Sequence, residues 1–449
     1  MEDDPPGLLH SAINRSRRSF MPRSLALFAL LLLAALACSL PTTDSPPGGD
    51  TATPDVATIV AATLTASSAD PTPELLETPA LPVSTAAVLT VVYAREGDIL
   101  LWREGESPRA LTTTRLDESP RISDDGQVIV FLRNGELYSV RADGTGERPL
   151  VNRAYLDSFR AVGMLEVRLR QFDFIPGSRE VFFSLYAETE GYPMPLGDLH
   201  RVSAEGGAPS IVLAAGQGDG QWTFSPDGRF FALSQGNQIR VLNRDGSGDR
   251  VLFPFTFVST YSEWTYYPQV VWRNDSAGFY TVIPASAALE NPSQPTRYYY
   301  VPLAEGSPAQ LAEFVAVPVW ESFPSIAPNG LSVAYVRLQG SSQSLHVIDL
   351  STADRAVQTD TRLHIVNWNL DSRHVVIYNP NTPADVYSQA FGEPPLPLND
   401  TTGGLSNLRW VTETRFLFLG GEELRLRDLP AASFVIDTRV TGYDFALAP

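Results

Sequence analysis

The sequence predicts an all-β fold: over residues 88–449, a closed β-propeller of four-stranded antiparallel blades, eight of them, or seven if one degenerate copy is miscounted. Three observations lead there. A strand–turn–strand phrase recurs along the chain, Asp-Gly turns separate strands inside each copy, and each end of the region supplies what the other lacks.

The phrase is clearest at Phe224-Ser225-Pro226-Asp227-Gly228-Arg229, which runs straight into the apolar strand Phe230-Phe231-Ala232-Leu233. Ile122-Ser123-Asp124-Asp125-Gly126 and Ile326-Ala327-Pro328-Asn329-Gly330 repeat it, and looser copies begin at Phe174, Trp272, Trp368 and Trp410. The seven anchors are separated by 52, 50, 48, 54, 42 and 42 positions, an interval that fits one four-stranded blade with variable loops. One large side chain at a fixed point of each first strand is expected to pack between neighbouring sheets. The turn aspartates Asp125, Asp227, Asp275 and Asp371 are expected to cap tight turns through side-chain to backbone hydrogen bonds. Third strands follow at 136–140 and 238–242, each closed by an Asp-Gly turn (Asp143-Gly144, Asp245-Gly246) whose geometry requires positive φ.

This combination resembles the TolB-like, WD-repeat-like propeller family, whose repeats carry a Ser-Pro-Asp-Gly turn after an aromatic residue. The resemblance covers about 360 residues and implies a fold rather than an activity. The ends complete it. Residues 90–112 read as strands two to four of a blade without a first strand, and residues 443–449 read as that missing strand. Joining them closes the ring and removes the exposed edges that an open array would leave.

Four arginines precede an uninterrupted apolar run at 25–37, about 13 residues long. That is too short to cross a hydrocarbon core of about 30 Å and suits the apolar core of a signal peptide. The run ends Ala35-Leu36-Ala37-Cys38-Ser39, which resembles a bacterial lipobox with the residues at 35 and 36 exchanged. The resemblance implies a signal peptide at 1–37 (Met21 is an alternative start), lipid on Cys38, and a membrane-anchored lipoprotein on the extracytoplasmic side. Secretion without lipid and an uncleaved anchor are the other readings. Residues 38–87 are rich in Pro, Thr, Ser and Ala and are expected to be a linker, because they carry too little apolar surface to offset ordering entropy. Cys38 is the only cysteine, so no intramolecular disulfide supports the fold.

The formal charge is -18, and all 33 basic residues are arginine. So acidic a chain is a poor partner for nucleic acid. No catalytic residue is assigned: GxSxG, HExxH, the P-loop and the dinucleotide fingerprint are all missing from the sequence. Neither a cofactor nor a metal is expected. The histidines His10, His200, His346, His364 and His374 show no ligand spacing, and 245–249 lacks a full set of alternating calcium ligands.

Strands alternate direction within a blade, so the tight turns share one face of the propeller. The longer segments 152–170, 186–197, 254–268, 283–297 and 315–323 then fall on the other face, where binding usually resides. Two of these segments are aromatic and acidic. Tyr261, Glu263, Trp264, Tyr266 and Tyr267 in one, with Trp320 and Glu321 in the other, form the candidate binding face. The sequence therefore points to a non-catalytic module that binds a protein, peptide or glycan. A hydrolase or lyase with acidic residues at its central channel and a structural envelope component are the alternatives.

Overall fold

Apolar runs punctuated by tight turns build eight antiparallel sheets arranged as the blades of one propeller. The computed structural model describes residues 87–448, apart from Glu263, Ala288, Leu289, Pro292, Glu305, Trp320, Thr352, Thr361, Thr402 and Gly403. The expected signal segment, Cys38 and linker lie outside the described residues.

Blade 1 is the shared blade. Its innermost strand is Val440–Ala448, followed outward by Val88–Arg95, Asp98–Arg103 and Arg109–Ala110. Blades 2 to 8 begin with the innermost strands Asp117–Ile122, Glu166–Phe174, Gln221–Phe224, Val270–Trp272, Ser325–Ile326, His364–Trp368 and Ser406–Trp410. Blade 3 carries an extra two-residue strand, Met194–Pro195, and is entered through a short helix, α1 (Arg153–Asp157), capped by Asn152.

Why the second strands read as unbroken apolar runs is visible in blade 1. Leu89, Val91 and Tyr93 pack against Leu417 and Leu424 of blade 8. Their alternates Val92 and Ala94 pack against Ile129 and Phe131 of blade 2. Each sheet is covered on both faces, so both phases of the period-two pattern must be apolar. The anchors Ile122, Phe174, Trp272, Ile326, Trp368 and Trp410 are buried and Phe224 is half-buried, which makes the expected core role a finding.

The closure holds as expected. Val440–Ala448 pairs antiparallel with Val88–Arg95, from Val88 opposite Ala448 to Arg95 opposite Val440. Polar contacts lock the seam. Tyr443 donates its hydroxyl to the carbonyls of Asn407 and, at 2.9 Å, Leu417. Tyr93 donates to Asp437 at 2.6 Å, and Arg95 reaches the same carboxylate at 2.7 Å. Arg415 of blade 8 pairs with Glu104 of blade 1 at 2.6 Å.

The tight turns are capped as the sequence predicts. Asp227 accepts from Ser225 Oγ at 2.7 Å and from the Arg229 amide at 3.1 Å, and Asp371 accepts from the amides of Arg373 and His374. The turn glycines have a second reason to be glycine. A Cβ on Gly228 (φ +64) would lie 2.3 Å from the Pro176 carbonyl oxygen of blade 3, and one on Gly330 (φ +69) would lie 2.1 Å from the Tyr280 ring of blade 5. On the other side of the same turns the contact is a hydrogen bond. The Asp227 amide donates to Ser276 Oγ at 3.3 Å and the Asn329 amide to Ser372 Oγ at 3.1 Å, while Gly177 of blade 3 donates to Asp124 of blade 2 at 2.7 Å.

Candidate functional site

The innermost strands surround the propeller axis, those of blades 2 to 8 each entering from a blade-to-blade connection and leaving through a tight turn. The residue before each anchor faces the axis: Arg121, Asp173, Thr223, Val271, Ser325, Asn367 and Arg409 are all half-buried or exposed beside buried neighbours. Their chemistry is uneven around the ring. Blades 2, 3 and 8 present charge, whereas blades 4 to 7 present neutral groups.

Two axial cavities result. One, of about 650 Å³, is lined by Arg121, Asp173, Arg409 and Asp444 together with the tight-turn residues Asp124 and Pro176. Asp444 pairs with Arg409 through one oxygen and accepts the Ile122 amide through the other at 2.9 Å. Arg409 lies over the Phe445 ring at 4.8 Å and Arg121 over the Phe172 ring at 5.8 Å. Asp173 is open to the channel yet surrounded by protein. Burial pushes its carboxyl above the usual range, and the nearby Asp444 charge adds to the shift.

The second cavity, of about 420 Å³, is lined by Thr223, Tyr266, Tyr267, Gln269, Phe323 and Val366. It opens among the blade-to-blade connections, and so on the long-loop face. Here the predicted aromatic residues divide. Tyr266 is turned into the core, where it stacks on Phe323 (6.1 Å, 12°), packs with Val258 and Val319 and donates to the Val282 carbonyl at 3.2 Å. Trp264 meets the same Phe323 edge-on at 6.0 Å, and its carbonyl is held by Thr260 Oγ1 at 2.7 Å. Trp264 is 37% and Phe323 53% exposed, so this pair is the surface-facing part of the cluster. Tyr267 is half-buried in the cavity wall, where burial raises its hydroxyl. Tyr261 is exposed with φ +53, and Glu321 accepts from Gln343 Nε2 at 3.0 Å. Glu263 and Trp320 lie outside the described residues.

Three of the four described histidines occupy polar clusters. His200, fully buried, stacks on Phe183 and bridges Asp198 (3.0 Å) and the Tyr155 hydroxyl (2.9 Å). His346 lies between Ser344 Oγ at 3.0 Å and Asp354 at 2.9 Å, a Ser–His–Asp relay in its contacts. Ser344 is only 1% exposed, so that hydroxyl is closed to substrate and cannot serve as a nucleophile there. His374 contacts Asp371 and Glu393 at a blade turn.

Sequence reasoning missed the channel charges Arg121, Asp173, Arg409 and Asp444. The available signal was positional. Once an anchor is assigned to the core, the pleat sends the preceding residue to the axis.

No family model and no curated protein matches the chain. Among solved structures it is similar to a eukaryotic initiation factor, at 8% identity over 80% of this chain and 98% of that one, with a TM-score of 0.48. It is also similar to TolB from Acinetobacter baumannii (15% identity, 62% of this chain and 64% of that one, TM-score 0.30). A third likeness is to a structure of the nidogen/laminin complex (13%, 80% and 99%, TM-score 0.31). With TM-scores below 0.5, these likenesses carry nothing about what this chain binds.

Proposed function

We propose that this chain is a non-catalytic binding module, lipid-anchored on the extracytoplasmic side, that takes a protein, peptide or glycan segment at its long-loop face. The observation that supports this most is the exposed Trp264–Phe323 pair, whose Phe323 lines the 420 Å³ axial cavity together with Tyr267. Large rings held by packing on a rigid scaffold offer apolar area at little entropic cost, and such residues dominate binding surfaces. The anchor rests on the Ala37-Cys38 sequence that follows the apolar run.

The test is capture of an envelope partner by the full chain and by the Trp264→Ala/Tyr267→Ala variant. Capture falls at least about 10-fold with the melting temperature unchanged, the loss expected of one buried hot-spot aromatic. Equal capture by the variant refutes the assignment of the face. Cys38→Ser releases the chain from membranes; retention of that variant would sink the anchor.

A second reading, a hydrolase or lyase acting in the channel, is favoured by one observation. Asp173, with its carboxyl raised, sits near Asp444 in a cavity that also holds Arg121 and Arg409, an arrangement suited to a general acid beside fixed charges. Turnover of a glycoside, ester or peptide substrate that Asp173→Asn abolishes would replace the first reading with this one.

A further inference from the structure

A pocket on the tight-turn face, away from the aromatic loops, collects arginine. It has a volume of about 410 Å³ between blades 1 and 2, and Arg103, Arg109, Arg141 and Arg179 line it with Gln127 and Asp143. Arg103 and Arg109 flank the outer turn of blade 1, Arg141 the outer turn of blade 2, and Arg179 the inner turn of blade 3. Three separate turns therefore deliver guanidinium groups to one cavity. The chain has 51 acidic residues against 33 arginines, so this convergence runs against its composition.

The groups are unevenly neutralised. Arg179 is satisfied by Asp125 at 2.8 Å and Glu205 at 2.7 Å. Arg141 reaches Glu205 only at 3.8 Å, and Arg109 donates to the Ala142 carbonyl, which carries no charge. Among the described residues Arg103 has no carboxylate within ion-pair distance. The one carboxylate in the lining, Asp143, accepts from the amide and hydroxyl of Thr145 at 2.8 and 2.7 Å through a single oxygen, and its charge offsets only part of that of Arg141 and Arg109. The four guanidinium groups outnumber the one carboxylate in the lining, and an anion bound there would relieve the repulsion left among them. The overall charge of -18 does not cancel the local field, because charges beyond about 8 Å are largely screened at physiological salt.

We propose that this pocket binds a phosphoryl-type oxyanion, with Arg103, Arg109 and Arg141 as its principal ligands. Planar guanidinium forks match the oxygens of such a group in pairs, and the volume leaves room for the substituent that carries it. The source is either a soluble phosphorylated metabolite or the phosphate of a lipid headgroup. The proposal uses a different face from the aromatic loops and stands or falls independently of them.

The experiment has two arms, both with the full-length chain. Inorganic pyrophosphate is titrated calorimetrically into the wild type, into Arg103→Ala/Arg141→Ala, and into Arg103→Gln alone, with thermal melts of each unliganded protein. Phosphatidylglycerol and phosphatidylcholine vesicles are compared in the second arm, so that binding through the N-terminal anchor cancels. The expected result is saturable pyrophosphate binding that weakens at least about 10-fold in the double variant, as charge-assisted hydrogen bonds imply, with unchanged melting. A preference for phosphatidylglycerol that the variants lose, without binding of free pyrophosphate, supports the headgroup as the source. Binding in neither arm, or equal binding by wild type and variants, overturns the proposal.

Discussion

Deleting residues 440–448 removes the strand that closes the ring, and its cost can be worked from the contacts it makes. Val440 and Tyr443 are 2% and 3% exposed, and full burial of such side chains is worth about 1.5–3 kcal/mol each. Their loss uncovers one flank of Leu89, Val91 and Tyr93, all at 0%, in the same cluster with blade 8. Asp444 takes with it the bonds to the Ile122 amide and Arg409, worth about 1.5–3 kcal/mol each as charge-assisted pairs. The total is on the order of 10 kcal/mol, comparable with the whole stability of an ordinary domain. The truncated chain is therefore expected to lose its cooperative thermal transition, followed by near-ultraviolet circular dichroism. Tyr443→Phe keeps the ring but removes the hydroxyl shared by Asn407 and Leu417, and should cost about 1 kcal/mol in denaturant melts. A truncated chain that still melts cooperatively within a few degrees of the wild type would refute the closure as a source of stability.

Gly330→Ala should destabilise by about 3 kcal/mol in urea melts, combining left-handed backbone strain with collision against Tyr280. Gly144→Ala, at φ +86 with nothing within 4 Å, should cost only the backbone part, about 1 kcal/mol, and equal losses would discredit the packing argument. Asp173→Asn should raise the melting temperature at pH 7 but not at pH 3. The folded carboxyl is raised above its ordinary value, so ionising it penalises the fold only at pH values where it is charged. At Asp227 burial acts to raise the carboxyl, but the bonds from Ser225 and Arg229 outweigh it and hold the group at about 2. Its stabilisation is present above pH 4 and fades as pH falls toward 2, so Asp227→Asn should melt lower at pH 6 and converge with the wild type near pH 2.

The ring was legible because each blade repeats a local signal. The Asp-Gly turns, the anchors and the incomplete blade at each end are all short-range features, and together they specify eight blades and the seam. The axial site was much less legible. Asp173 and Asp444 share one cavity although 271 positions separate them, and only ring closure brings the C-terminal strand near blade 3. The Tyr155–His200–Asp198 cluster illustrates the same limit. Its histidine shows no ligand spacing in the sequence, and its tyrosine comes from α1, whose approach no spacing encodes. Among the aromatic loop residues, composition could not separate Tyr266, which packs inward, from Trp264, which does not. That division depends on Phe323, a residue of the next connection, lying between them.

The alternation at the tight turns has a consequence for symmetry. Ile122, Phe224 and Ile326 fall at intervals of 102 residues, and each begins a blade whose turn glycine abuts the blade before it. Each of the same turns is hydrogen-bonded to the turn of the blade after it. In blades 4–5 and 6–7 the likeness extends to a tryptophan: Trp272 Nε1 donates to the Thr223 carbonyl and Trp368 Nε1 to the Ser325 carbonyl, each at 3.0 Å. Blades 2 to 7 therefore repeat as three pairs of unlike blades, and blades 8 and 1, which meet at the seam, stand outside the alternation. Excising one blade would place two turns of the same type side by side, a glycine lacking its partner wall or a serine lacking its donor. Loss or duplication of one of these three pairs keeps the glycine and serine junctions matched, so a change by two blades disturbs fewer of them than a change by one.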